Sequence, residues 1–277
     1  LIDISERLAM KIQKQFRPSS KFKVQDAEAS AKPLSSDDKI ADQARVAAIA
    51  NEIAGQQNMF YADSSRKLLI VLQGMDTSGK DGTVNGVFHG VNPQGIRIVS
   101  FKAPDTVERR RDYLWRVHQQ VPQLGEIAVF NRSHYEDVLI TRVHGWIDDE
   151  ECQRRFAQIR DFERMLTETG TIVVKFFLHI SKDEQKQRLQ QRVDDPTKHW
   201  KFDLQDLAER KLWKRYQEVY ADAIRATDTD AAPWHVIPAN SKTHRNLAIA
   251  GIVLATMQDM KLKFPPAKEE LKGLIVK

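Results

Sequence analysis

The run Lys67-Leu68-Leu69-Ile70-Val71-Leu72-Gln73, followed at once by Gly74-Met75-Asp76-Thr77-Ser78-Gly79-Lys80-Asp81-Gly82, decides how the rest of the chain is read. Five consecutive apolar residues without polar alternation call for burial on both faces. A central strand of a parallel sheet meets that condition. The segment after it has the spacing Gly-x-x-x-x-Gly-Lys of a P-loop. Its glycines let backbone N–H groups turn toward phosphate oxygens, and the lysine adds a point charge. A helix from Lys80 to about His89 adds a favourable dipole at the same place. The competing reading is a purely structural glycine-rich turn, and the flanking strand and helix count against it.

Working outward, further strands are expected at 96–101, 126–130, 171–179 and 234–237. Helices are expected from Ser35-Ser36-Asp37-Asp38 to about 53, over 106–120 starting at Asp105, and from about 134. Others should cover 149–168, 181–193, 203–226 and 241–261. Asp194-Asp195-Pro196 breaks the chain between two of them. Alternating strand and helix predict an α/β fold, a parallel sheet flanked by helices on both faces. No linker interrupts it. The expected organisation is an N-terminal arm over 1–37 that wraps the body or is only partly ordered, then a single domain over 38–277.

The 277 residues are 41% hydrophobic, enough for one substantial core. No apolar run approaches the ~20 residues of a membrane helix, and the first residues lack a stretch of signal-peptide type. Cys152 is the only cysteine, so no internal disulfide forms. Its neighbours Glu150 and Glu151 give no reason for an activated thiolate. These features predict a cytoplasmic protein without a membrane partner. The net charge of +5 is compatible with nucleic acid, anionic membrane or a phosphate-rich substrate, so its distribution matters more.

The phosphate loop departs from the common pattern. The Ser or Thr that normally follows the lysine and binds Mg²⁺ is here Asp81, and Asp76 sits inside the loop. Two carboxylates repel a bare polyanion, but they fit if divalent cations lie between them and the phosphates. The third strand ends in the neutral Asn131, where P-loop enzymes carry an acid. Asp76 and Asp81 are therefore the expected metal-handling groups. The plainer role for Asp81 is a helix cap.

Phosphoryl transfer needs positive charge around the transferred group. Lys102 and Arg132 follow strand ends, where α/β sheets bind ligands. Arg109 and Arg116 are seven apart, on one face of the expected helix, with Arg110, Arg111 and His118 beside them. A solvated basic face is the ordinary alternative there. Arg188 and Arg192 form an i, i+4 pair, and Lys198-His199-Trp200-Lys201 follow the break. A lid over transferring phosphates, at about 188–205, has this character. Glu136 and Asp137, one turn past Arg132, either orient an acceptor, bind a second metal or simply occupy a helix first turn.

Together these segments resemble the polyphosphate kinase 2 family. The resemblance rests on Gly74–Gly82, on Ser100-Phe-Lys-Ala-Pro104, on Tyr113-Leu-Trp-Arg-Val-His118 and on Val129-Phe-Asn-Arg-Ser-His-Tyr-Glu-Asp-Val138. It continues in Leu189-Gln-Gln-Arg-Val-Asp-Asp-Pro-Thr-Lys-His-Trp-Lys-Phe202 and Ala232-Pro-Trp-His-Val-Ile-Pro-Ala239. It implies a P-loop kinase fold similar to thymidylate kinase, with a helical lid. It also implies reversible transfer between inorganic polyphosphate and nucleotides, with Mg²⁺ or Mn²⁺, in associating subunits (homodimer or homotetramer). Neither nucleic acid nor membrane is an implied partner. By this resemblance Asp76, Lys80, Arg132 and Arg192 are essential, and Asp76 and Asp81 manage metal. Lys102, Arg109, Arg116 and Arg188 would line the phosphate path, with Lys198 and Lys201 contributing from the lid. Gly74, Thr77, Ser78, Gly79, Gly82, His118, Asn131 and Ser133 complete the expected substrate contacts. Asn131-Arg132-Ser133-His134-Tyr135-Glu136 resembles the subgroup that accepts both mono- and diphosphates, with Glu136 tied to that wider range. Two rivals are an ATP-dependent nucleoside monophosphate kinase and a non-catalytic polyanion-binding protein with a relic loop. Asp81 and the extra cations argue against the first. The intact Lys80, the paired acids and the lid argue against the second.

Overall fold

The computed structural model describes residues 11–271 and 273–276. Five parallel strands form one sheet in the order β2-β3-β1-β4-β5. They are β1 (Lys67–Gln73), β2 (Ile96–Ser100), β3 (Ile127–Asn131), β4 (Thr171–His179) and β5 (Trp234–Pro238). Leu68 to Leu72 are entirely buried, which is why this run has no polar alternation. β1 lies between β3 and β4, with Leu72 level with Asn131 and Phe176. The chain moves from β1 outward to β2, returns to β3, and then crosses to β4 on the other side. Connections diverge there, and an open parallel sheet places its ligand crevice at such a switch point.

Seven helices of more than one turn accompany the sheet among the described residues. They are α1 (Lys39–Asp63), α2 (Lys80–Val87), α3 (Asp149–Glu168), α4 (Lys182–Asp194), α5 (Leu204–Lys211), α6 (Trp213–Thr227) and α7 (Lys242–Asp259). α1, α2 and α7 pack on one another, while α3 packs on β4 and α6. Start signals act as the sequence predicts. Asp38 accepts from the N–H groups of Ile40 and Ala41, and Ser241 accepts from that of His244.

Three expected helices differ. The stretch 106–120 is not one helix: Asp105 caps a turn, a 3-10 piece covers Glu108–Arg110, and one helical turn follows at Trp115–His118. Three successive arginines and the exposed Val107 leave this segment no continuous apolar face to bury, so packing does not sustain a helix there. Arg109 and Arg116 consequently do not share a face. The helix expected from about 134 is a 3-10 piece, His134–Val138, and one turn, Ile140–Val143. The helix expected over 203–226 is divided at Leu212, where the backbone leaves helical geometry before α6 begins. α1 also runs ten residues beyond its expected end at 53, closing at Ser64 in a left-handed conformation.

The expected arm begins outside the described residues, at 1–10, and residues 11–37 lie against the body. Phe16 and Phe22 are buried in the main core. The N–H of Val236 donates to the carbonyl of Phe16, which satisfies part of the exposed edge of β5. Asp26 accepts from the N–H of Lys182 at 3.0 Å and from Trp213 Nε1 at 3.1 Å, joining this segment to the starts of α4 and α6. Replacing Phe16 with Ala should lower unfolding free energy by about 3 kcal/mol, the cost of deleting a buried aromatic ring. Urea denaturation checks this, and an unchanged midpoint would contradict the packing role.

Candidate active site

The loop between β1 and α2 depends on glycine at two places. Gly74 has φ +154°, and a Cβ there would lie 2.7 Å from the carbonyl oxygen of Leu178. Gly79 has φ +100°. Thr77 also lies at positive φ, +66°, an uncommon conformation for a residue with a side chain. This geometry aims the start of α2 into the crevice. Lys80 is buried and folds back so that Nζ donates to the carbonyls of Gly74 at 2.8 Å and Met75 at 3.4 Å. Burial, with the nearby Arg132 guanidinium, lowers its ammonium to about 8, against the opposing pull of Asp76, Glu136 and Asp81.

The unusual residues of the loop and of the strand end meet in pairs. Asp76 accepts from Arg132 Nη2 at 2.7 Å, and Asp81 accepts from Asn131 Nδ2 at 2.6 Å. Asp81 is therefore turned toward β3, not used as a cap. Gly79 is the N-cap and supplies no side-chain bond. Arg132 has φ +63°, and its N–H donates to Leu72 at 3.0 Å. A left-handed arginine at the mouth of a crevice is backbone strain held by its surroundings. Below it, the amide of Gln73 donates to Glu136 Oε1 at 3.0 Å and accepts from the Ser133 hydroxyl at 3.0 Å. Glu136 is half-buried, and desolvation raises its carboxyl above the usual range despite Arg132 and Lys80.

The opposite wall comes from the predicted lid. Every guanidinium donor of Arg188 is used: Nε to Glu184, Nη1 to the carbonyls of Thr77 and Ser78, Nη2 to those of Ala239 and Asn240. This side chain clamps α4 to the phosphate loop and to the end of β5. Arg192 donates through Nη1 to the Lys201 carbonyl at 2.8 Å and to Asp206 at 3.3 Å. Lys198 pairs with Asp195 at 2.7 Å across the 3-10 turn Pro196–Lys201. Burial and then Asp76 raise the Asp206 carboxyl.

These walls enclose a cavity of about 560 Å³. It brings together Asp76, Thr77, Gly79, Lys80, Asp81 and Gly82 from the loop. Lys102, Asn131 and Arg132 join from strand ends, and Arg188, Arg192, Lys198 and Lys201 from the lid. Gly74, Ser78, Ser133 and Glu136 lie outside that lining. Ser78 is buried with its hydroxyl unpaired to protein, and Gly74 serves through its carbonyl. Arg109 is exposed and bonds its own turn at Asp105. Arg116 is buried beside the cavity and holds the Lys102 carbonyl at 2.8 Å. His118 packs edge-on against Phe162, with ring centroids 5.7 Å apart.

The lining also includes residues the sequence reading passed over, among them Gln191, Asp203, Asp206, Lys242 and Arg245. Lys242 and Arg245 open α7 directly after β5, and strand C-terminal ends were the signal that could have found them. Burial and Arg188 push the Arg245 guanidinium down to about 10, a mark of crowded positive charge.

A crevice at a parallel-sheet switch point, with a glycine-rich loop, its lysine and an arginine-bearing lid, defines a P-loop kinase fold. The polyphosphate kinase 2 family model matches residues 36–265, and the chain belongs to that family of polyphosphate-dependent nucleotide phosphotransferases. An AMP/ADP-polyphosphate phosphotransferase from Meiothermus ruber is 52% identical over 220 residues, 79% of this chain and 82% of that protein. An ADP-polyphosphate phosphotransferase from Rhodopseudomonas palustris is 40% identical over 221 residues, 76% of each. The crystal structure of polyphosphate kinase 2 from Arthrobacter aurescens TC1 matches with a TM-score of 0.91 and 43% identity, covering 94% of both chains. No helix among the described residues is long and apolar enough to cross a membrane.

Lys80 carries its charge below about pH 8 and loses it above. Phosphate binding to the free protein should weaken as pH rises through that value. The kcat/KM for the phosphate donor should therefore fall above about pH 8, whereas kcat falls at higher pH because bound phosphate favours the ammonium. A kcat/KM profile flat to about pH 9.5 would contradict this role for Lys80.

Proposed function

We propose that this chain transfers a phosphoryl group reversibly between inorganic polyphosphate and AMP or ADP. The observation that carries the reading is the convergence of cations on one crevice. Lys80, Lys102, Arg132, Arg192, Lys198, Lys201, Lys242 and Arg245 all line it. A nucleotide's own phosphates need far fewer cations, whereas a polyphosphate chain presents one negative charge or more at each unit. The name of the Meiothermus relative supports both acceptors.

In the forward direction an oxygen of the acceptor's terminal phosphate attacks the terminal phosphorus of polyphosphate. The P–O bond to the rest of the donor breaks, and the donor leaves one unit shorter. Lys80 and Arg132 neutralise charge that builds on the transferred group, and Arg192 adds to them from the lid. Asp76 holds the Arg132 guanidinium and so fixes where that charge sits. The lid excludes water, which otherwise competes as acceptor.

The donor set fits a hard divalent cation. Asp76 and Asp81 offer carboxylate oxygens on the cavity wall, and no cluster of three ligating side chains exists among the described residues. Mg²⁺ is commonly held by one or two carboxylates, with waters and substrate phosphates completing its shell. Asp76 and Asp81 would hold it here. The charge of a bound Mg²⁺ or Mn²⁺ there would lower the mutual repulsion of the phosphates. We assign Glu136 to the acceptor side, because it lies in the loop that carries Arg132 and feels both Arg132 and Lys80.

Protein mixed with polyphosphate, Mg²⁺ and either AMP or ADP should produce ATP, followed by luciferase. The rate should fall as salt screens the cationic wall. Lys80→Met should cost about 100-fold or more in kcat. AMP with ATP as sole donor separates this activity from an ordinary nucleoside monophosphate kinase. Absence of ATP with every polyphosphate and acceptor combination would overturn the proposal.

A further inference from the structure

The middle of β4 carries a charged residue where a strand buried on both faces has no evident use for one. Lys175 is completely buried and lies level with Val71 of β1. Its Nζ donates to Glu163 Oε2 at 2.5 Å, to the Tyr135 hydroxyl at 2.9 Å and to the Thr227 carbonyl at 2.9 Å. All three ammonium donors are thus used. Tyr135 passes its own proton donor to Glu163 Oε1 at 2.8 Å, and His134 Nε2 lies 3.4 Å from the same oxygen. The rings of Tyr135 and Trp234 stand 5.3 and 5.2 Å from the ammonium. Burial opposes ionisation of Glu163, yet Lys175 and His134 hold its carboxyl below the usual range.

Such a pair is a poor source of stability. Desolvating two charges commonly cancels their attraction, and well-packed apolar replacements are often neutral or better. What the network does accomplish is local. His134 and Tyr135 are the two residues between Ser133 and Glu136. Arg132, with its left-handed backbone, comes just before Ser133. Gln73 of β1 grips Ser133 and Glu136 from one side. Glu163 and Lys175 grip His134 and Tyr135 from the other. The loop that aims Arg132 at the crevice is pinned between these two grips.

We infer that Lys175, Glu163 and Tyr135 are positioning residues, whose buried network fixes Arg132 and Glu136 for transfer. The inference rests on the phosphotransfer reading and deepens it. None of the three touches substrate. A loop free to relax from the left-handed conformation of Arg132 would still fold, but its guanidinium would no longer sit over the transferred group. Misplacement on the order of 1 Å is enough to cost about 100-fold in rate.

Two variants test this. Tyr135→Phe removes one hydroxyl and keeps the ring. Lys175→Met combined with Glu163→Leu removes both charges together. Calorimetry and circular dichroism give the folded fraction, and steady-state kinetics are then normalised to folded protein. Tyr135→Phe should lose about 10-fold in kcat and the double variant about 100-fold. The KM for polyphosphate should stay within about twofold, because the lid and phosphate loop are untouched. Folded variants that turn over at the wild-type rate overturn the inference. So does a loss of activity that only matches the fraction unfolded. If the double variant does not fold, Tyr135→Phe alone decides. Wild-type protein that makes no ATP from polyphosphate would overturn the functional reading instead, and that assay precedes any variant.

Discussion

Repulsion among like charges is the constraint around which this structure is arranged. A cavity of about 560 Å³ holds at least eight cationic side chains. Left alone, they would force the lid and the sheet apart. Several devices hold them in place. Backbone carbonyls receive Lys80 and four of the bonds of Arg188. Asp76 takes Arg132, and Asp206 takes Arg192. The residual stress is visible where partners are scarce. Arg245 and Lys242 are both shifted toward neutrality by burial and by neighbouring cations. A polyanion relieves that stress, so binding and electrostatic relaxation are one event.

The acids belong to the same arrangement. Asp76 and Asp81 interrupt a loop that otherwise attracts only negative charge. Each is paired with a residue at the end of β3, Asp81 with the neutral Asn131 and Asp76 with the cationic Arg132. The substitution in the loop and the one at the strand end are thus in direct contact. Together they move the acidic character of the site from the sheet to the loop.

The parallel sheet and the phosphate loop were legible because their signals are local. Leu68 to Leu72 state their burial in one run, and Gly74, Gly79 and Lys80 state their backbone in one motif. The helix at 106–120 was misread because propensity and a start signal at Asp105 were present, while the apolar stripe that sustains a helix was not. The break at Leu212 depends on packing that no short window reports. Charge and spacing place Arg188 in a lid, but they do not show that four of its bonds go to carbonyls from two distant segments. Lys242 and Arg245 are not legible in a local window, because only the fold brings the end of β5 beside a phosphate loop some way back along the chain. The network of Tyr135, Glu163 and Lys175 joins residues up to 40 positions apart. Only Lys175 is anomalous when read alone.

The four carbonyl bonds of Arg188 have a mechanical meaning as well. They tie the middle of α4 to Thr77 and Ser78 on one side and to Ala239 and Asn240 on the other. Asp26 fastens the start of the same helix to the N-terminal segment. The first half of α4 is therefore a fixed post, not part of a swinging door. Any opening of the lid must pivot beyond Arg188, where Asp195 and Pro196 end the helix. A segment hinged there would be short: it would carry Lys198 and Lys201 and leave the loop carbonyls where they are.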